Sequence, residues 1–129
     1  MRDHEHHLQT ACVGWFRIQY PELATVLFAV PNGGARNEIT GARLKDEGVT
    51  AGVADLLLLV ANGTHHGLAI EMKTKTGRQS SEQGLWQLKV EKFGYKYAVC
   101  RSLDDFIATV EGYLNQSGES PRPVGEAHD

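Results

Sequence analysis

The amino-acid sequence predicts an α/β domain in which a mixed β-sheet is flanked by helices. Three observations carry that prediction. Apolar residues recur at the three-and-four spacing of a helix in the first segment, after Ser80 and after Ser102. Short β-prone runs bounded by turn residues lie between them. One of these, Leu56 to Val60, is continuously apolar, the pattern of a strand covered on both faces. At 129 residues the chain is long enough to bury one core and too short to carry two.

Leu8, Ala11, Cys12, Trp15 and Phe16 share one helical face and Pro21 follows as a stop, so the first helix should run from about Asp3 to about Tyr20. Val26 to Val30 is a β-prone run ended by the turn residues Pro31-Asn32-Gly33-Gly34. Asn37 to Glu47 is weakly amphipathic and closes on Gly48, as a helix does with glycine just past its end. Asp55 to Ala61, the polar turn Asn62 to Gly67, and Leu68 to Lys73 read as two antiparallel strands joined by a hairpin. Ser80 and Gln83 form a capping-box pattern opening a helix that carries Leu85, Trp86, Leu88, Val90 and Phe93 until Gly94 closes it. Tyr95 to Cys100 alternates as a last strand. Ser102 with Asp105 caps a last helix, whose core face is Phe106, Ile107, Val110, Tyr113 and Leu114. Beyond it Ser, Gly, Pro and Glu dominate, which predicts a folded domain over residues 1–115 and a disordered tail over 116–129.

Composition excludes more than it identifies. Sixteen acidic residues against thirteen Lys and Arg give a net charge of -3, which argues against a protein that coats nucleic acid by bulk positive charge. It does not exclude a nuclease, whose active site concentrates carboxylates. The longest apolar run is far shorter than a bilayer span and the N-terminal residues lack the apolar core of a signal peptide, so a cytoplasmic location with no membrane partner is expected. Cys12 and Cys100 stand among apolar residues and read as small buried hydrophobes rather than a disulfide or metal site. His4 and His7 share a helical face, but no Cys or further His stands at zinc-ligand spacing. Gly33-Gly34 lacks the strand-to-helix setting and the Lys of a nucleotide-binding loop.

The chemistry concentrates in the hairpin. Side chains alternate along a strand, so Glu71 and Lys73 project from one face while Ile70 and Met72 enter the other layer. If Asp55 lies opposite Glu71 or Lys73, all three polar groups share that face; a slip of one residue would send Asp55 to the other side. The gathered register is the expected one. An isolated Glu or Lys on a half-exposed hairpin is ordinarily a solvated face. Here, however, Asp55 precedes five apolar residues and Glu71 follows an apolar triplet, at strand margins where a charge needs a partner or a metal. Two carboxylates on one wall suit a hard cation such as Mg²⁺, which takes oxygen ligands and bridges to phosphate.

Gly52-Val53-Ala54-Asp55-Leu56, Ile70-Glu71-Met72-Lys73 and Gln83 with Trp86 on the following helix together resemble the PD-(D/E)XK nuclease superfamily, specifically its VRR-NUC (virus-type replication-repair nuclease) branch. Glu5 and Gln9, Pro31-Asn32-Gly33-Gly34 with Arg36, Leu44-Lys45 before Gly48, and Gly94-Tyr95 extend the resemblance over nearly the whole chain except the tail. Where the family has Pro before its metal-binding Asp, this chain has Ala54; Pro there stiffens backbone and is not a ligand, so catalysis should survive. The resemblance implies a restriction-endonuclease-like fold and a Mg²⁺-dependent DNA endonuclease, with Mn²⁺ able to substitute. It implies that Asp55, Glu71 and the backbone carbonyl of Met72 hold the metal, that Glu5 reaches it through water, that Lys73 orients or activates water, and that Gln83 braces the site. Gln83 as a plain capping-box residue stands as the alternative.

Stand-alone members of the branch resemble phage or prophage enzymes acting on branched DNA, which makes a four-way (Holliday) junction the expected substrate. Paired cuts in a junction need two sites, hence an expected homodimer. Asn32, Arg36, Arg43, Lys45, Lys75 and Arg78 are the expected DNA contacts, with Lys89 and Lys92 as further candidates. The alternatives are a nuclease acting on flaps, ends or specific duplex DNA, or a non-catalytic DNA-binding subunit with the same fold.

Overall fold

Leu68–Met72 (β3) is buried at all five positions and organises the rest. It pairs antiparallel with Leu56–Leu58 (β2) and parallel with Lys96–Cys100 (β4); Leu27–Ala29 (β1) adds antiparallel to β2, giving a four-stranded mixed sheet in the order β1-β2-β3-β4. The computed structural model describes residues 2–31 and 38–116, so all but the first residue of the expected tail lies outside the described residues. The helices are Arg2–Gln19 (α1), Glu38–Asp46 (α2), Ser81–Lys92 (α3) and Leu103–Leu114 (α4). None among the described residues is long and apolar enough to cross a membrane. The arrangement is the expected α/β class.

Alternation along the strands builds two layers. Leu56, Leu58, Leu68, Ile70 and Met72 enter the main core with Cys12 and Phe16 of α1 and Phe106, Val110, Tyr113 and Leu114 of α4. The opposite face carries Ala69 and Tyr97, with Ala54, Leu57 and the α3 residues Trp86 and Val90. Cys12 and Cys100 are buried free thiols. Burial pushes the Cys12 thiol up to about 12, with Cys100 adding to the shift, so both pack as neutral side chains.

Local chemistry sets most boundaries. Ser80 and Gln83 close the reciprocal capping box at the start of α3. Ser102 caps α4 through the Asp105 amide. Asn62 fixes the β2–β3 connection: its Oδ1 accepts from the amides of Thr64 and His65, and its Nδ2 donates to the Tyr113 carbonyl at 2.9 Å. The Tyr113 hydroxyl in turn donates to the Val60 carbonyl at 2.6 Å.

Two strands are shorter than expected, and one helix is less buried than its apolar content suggests. The strand expected over Val26 to Val30 is present as Leu27–Ala29, with Val26 taken into the 3₁₀ turn Pro21–Val26 that Pro21, with its preset φ, opens. β2 is likewise three residues, and Leu59 beyond it is 57% exposed, so the covering on both faces does not extend along the whole run. On α3, Leu85, Leu88 and Phe93 are 68%, 66% and 61% exposed. The helix rests on the sheet only through Trp86 and Val90, over the narrow strip formed by Ala69 and Tyr97, and its other apolar side chains face outward.

Candidate active site

The hairpin register gathers the acidic residues. Leu56 pairs with Ile70 and Leu58 with Leu68, and the ladder ends there, with Asp55 just before β2 and Glu71 just after Ile70 on β3. The Asp55 amide still donates to the Ile70 carbonyl at 3.0 Å. The Asp55 carboxylate turns across the ladder and accepts the Met72 amide through Oδ2 at 2.6 Å. This bond fixes the carboxylate beside the strand that carries Glu71 and Lys73.

Glu71 is the only buried charged residue among those described, at 0% exposure. Burying a carboxylate is costly unless its oxygens are satisfied. One oxygen is: Oε1 accepts the Tyr97 hydroxyl at 2.5 Å and the Gln79 Nε2 at 3.1 Å. The other, Oε2, has no hydrogen-bond donor, and stands 3.5 Å from the Lys73 ammonium. Lys73 itself extends the β3–β4 ladder by donating its amide to the Cys100 carbonyl.

The electrostatics are lopsided. Burial pushes the Asp55 carboxyl above its usual range; nearby Glu5 and Glu71 push the same way, while the Met72 amide and Lys73 oppose them. Glu5 on α1 is therefore close enough to act on Asp55, yet among the described residues no group of three or more His, Cys, Asp or Glu is drawn together tightly enough to hold a metal. Tyr97 is pushed far up by burial and by its bond to Glu71, and stays a neutral donor. The residues fit a hard divalent cation on one observation above all, the orphaned Oε2 of a fully buried carboxylate. Asp55 and Glu71 are the side chains that would hold it, with the Met72 carbonyl as the expected backbone ligand.

Gln83 takes the second of its two expected places, the capping box. Its Oε1 accepts the Ser80 amide at 2.8 Å, so its carboxamide closes the capping box, and the glutamine that reaches Glu71 is Gln79. Gln79 Nε2 also donates to Gln87 Oε1 at 2.8 Å, and Gln87 continues to Glu91, which ties the site to the outer surface of α3. Lys75 and Arg78 are exposed on the segment between β3 and α3, and Arg43 and Lys45 are exposed on α2. Asn32 and Arg36 lie outside the described residues.

Two further residues escaped the sequence reading. Tyr97 carried a usable signal, since a tyrosine at an inward strand position needs a partner for its hydroxyl. Arg101 carried none: its Nη1 donates to the carbonyls of Thr74 at 2.8 Å, Gly77 at 2.6 Å and Lys75 at 3.4 Å, clamping the segment that follows Lys73.

Comparison with known proteins bears on the family and the fold. The VRR-NUC domain family matches residues 3–104. A solved structure described as a VRR_NUC domain protein has a TM-score of 0.76 and 27% sequence identity, over 86% of this chain and 88% of that one. No curated protein matches the sequence.

Proposed function

The chain belongs to the VRR-NUC family and has its nuclease-type fold, and from that premise we propose that it is a Mg²⁺-dependent endonuclease that hydrolyses DNA phosphodiester bonds at four-way junctions. The observation that carries the reading is Glu71: a fully buried carboxylate with one oxygen saturated and the other left to a cation, beside Lys73 and across the hairpin from Asp55. Replacing a buried ion pair by apolar side chains is often neutral or stabilising, so a protein that used this fold only as a scaffold has little need to keep Glu71 beside Lys73.

In this reading Asp55 and Glu71 supply hard oxygen ligands, and Mg²⁺ when bound polarises the scissile phosphate and acidifies a water. Lys73 is held by Glu71 with its ammonium partly accessible, placed to orient the attacking water and to offset charge developing on the phosphate. The Met72 amide holds Asp55 in place through the reaction. Mn²⁺ substitutes for Mg²⁺, and the enzyme works in the cytoplasm on DNA of phage or prophage type. Exposed Lys75, Arg78, Arg43 and Lys45 contact phosphates, and a homodimer supplies the second cut. The exposed Leu85, Leu88 and Phe93 of α3 offer apolar surface of the kind such a dimer covers.

The test is cleavage of a labelled four-way junction with Mg²⁺, beside flaps, free ends and linear duplex. Wild type should nick the junction preferentially, and Lys73→Ala should lose at least about 100-fold in rate. Absence of nicking by wild type, or equal nicking by Lys73→Ala, would sink the assignment; preference for another substrate would move it to a flap, end or duplex nuclease.

A further inference from the structure

We propose that Tyr97 and Gln79 are positioning residues that restrict Glu71 to single-oxygen ligation of the metal through Oε2. The inference rests on the metal reading above and goes beyond it by assigning a role to two residues outside the expected site. A carboxylate oxygen has two lone pairs. On Glu71 Oε1 both are used, by the Tyr97 hydroxyl at 2.5 Å and by Gln79 Nε2 at 3.1 Å. Neither donor reaches Oε2, which is buried, without a hydrogen bond, and directed toward Lys73.

The two donors come from different parts of the chain, and each is itself held. Tyr97 lies on β4, where the parallel register sets it beside Ala69. The small Ala69 leaves room for the ring, which packs edge-on against Trp86 of α3 with centroids 6.1 Å apart. Gln79 sits just before α3 and is fixed from its far side by Gln87. Packing thus sets the hydroxyl, and a side-chain relay sets the amide. Together they stop Glu71 from rotating about its terminal torsion, which is otherwise broad and lets a carboxylate exchange oxygens. Hydrogen-bond partners of ligating carboxylates act on metal affinity by this route.

The test is isothermal titration of the purified full chain with Mn²⁺ alone, without DNA, comparing wild type with Tyr97→Phe and Gln79→Ala, alongside thermal melting of each metal-free protein. Tyr97→Phe should bind Mn²⁺ roughly 10-fold more weakly. Gln79→Ala, which alters an exposed residue and leaves the core intact, should weaken binding in the same direction while its metal-free melting temperature stays near that of wild type. Equal Mn²⁺ affinity in wild type and Gln79→Ala, or in wild type and a folded Tyr97→Phe, would overturn the positioning role while leaving the metal reading standing. Failure of wild type to bind Mn²⁺ would overturn the metal reading and this inference with it.

Discussion

Gly52 offers the sharpest test of how the backbone holds the site together. It adopts φ +85°, and a Cβ built there would lie 2.5 Å from the Glu82 carbonyl oxygen and 2.6 Å from its carbon, at the first turn of α3. Gly48 also has positive φ, at +104°, but a Cβ there meets nothing within 4 Å. The two glycines therefore separate two costs. Gly48→Ala bears only the left-handed backbone penalty, about 1–2 kcal/mol. Gly52→Ala bears the same penalty and must also move backbone by about 0.9 Å to bring 2.5 Å out to the 3.4 Å of ordinary contact. Overpacking of this kind adds about 1–3 kcal/mol, for a total of about 2–5. Gly94, at φ +93°, is a useful third case: the atoms nearest its Cβ, the first at 2.5 Å, belong to the exposed side chain of His66, which can swing away. Urea unfolding of the three alanine variants should rank the losses Gly48 below Gly94 below Gly52. The Gly52 variant should also cleave DNA more slowly than the Gly48 variant, because the displaced segment leads directly into Asp55. A Gly52→Ala loss no larger than that of Gly48→Ala would refute the steric argument.

Asp55→Asn should raise the melting temperature of the metal-free protein at neutral pH by roughly 2–5 °C and abolish the rise that Mg²⁺ gives wild type. The folded state holds the Asp55 proton more tightly than the unfolded chain does; that contribution is complete below the ordinary value of 3.8 and is lost as pH rises through the elevated folded value. The gap between variant and wild type should accordingly narrow as pH falls, and a gap independent of pH would contradict the shift. Arg101→Ala should slow cleavage several-fold while changing stability by about 1 kcal/mol or less, since the exposed guanidinium orders the segment after Lys73 without filling core; unchanged cleavage would show that this segment orders itself.

What was legible in the sequence is what depends on near neighbours. The capping box at Ser80 and Gln83, the Ser102 cap and the glycines that end α2 and α3 are written in residues three or four apart. The Asp55–Glu71 juxtaposition was legible for a similar reason: a hairpin ties register to a continuous local pattern. The partner of Tyr97 was not, because β3 and β4 are parallel and joined through α3, so no turn fixes their register and only the folded packing sets Tyr97 beside Ala69. Gln79 and Arg101 act from irregular backbone, where no periodicity announces a contact. Gln83 fitted two patterns in the sequence, and its carboxamide oxygen takes the local one. The exposure of Leu85 and Leu88 was not legible either, because helical spacing reports which residues share a face, not how much sheet lies beneath it.

The proposed metal reading rests on the charge balance of the site as much as on any single distance. Glu5, Glu71 and Asp55 interact electrostatically, and Lys73 is the cation that acts on Asp55 from within the same cluster. If the cluster were only structural, the simplest relief would be a donor on Glu71 Oε2. Instead the protein supplies two donors to Oε1, while Oε2, in a place water does not reach, has no hydrogen bond and faces the Lys73 ammonium at 3.5 Å. Crowding donors on one oxygen while sparing the other stabilises the metal-free fold less than an even distribution would, since each unmet buried acceptor costs about 1–3 kcal/mol. Under the proposed function, a divalent ion on Oε2 would offset that cost, and stability without metal would be given up for a ligand already oriented. Metal-dependent stabilisation of wild type, and its loss in Glu71→Gln, is the measurement on which this balance turns: Glu71→Gln should equal or exceed wild type in melting temperature without metal and fall below it at saturating Mg²⁺.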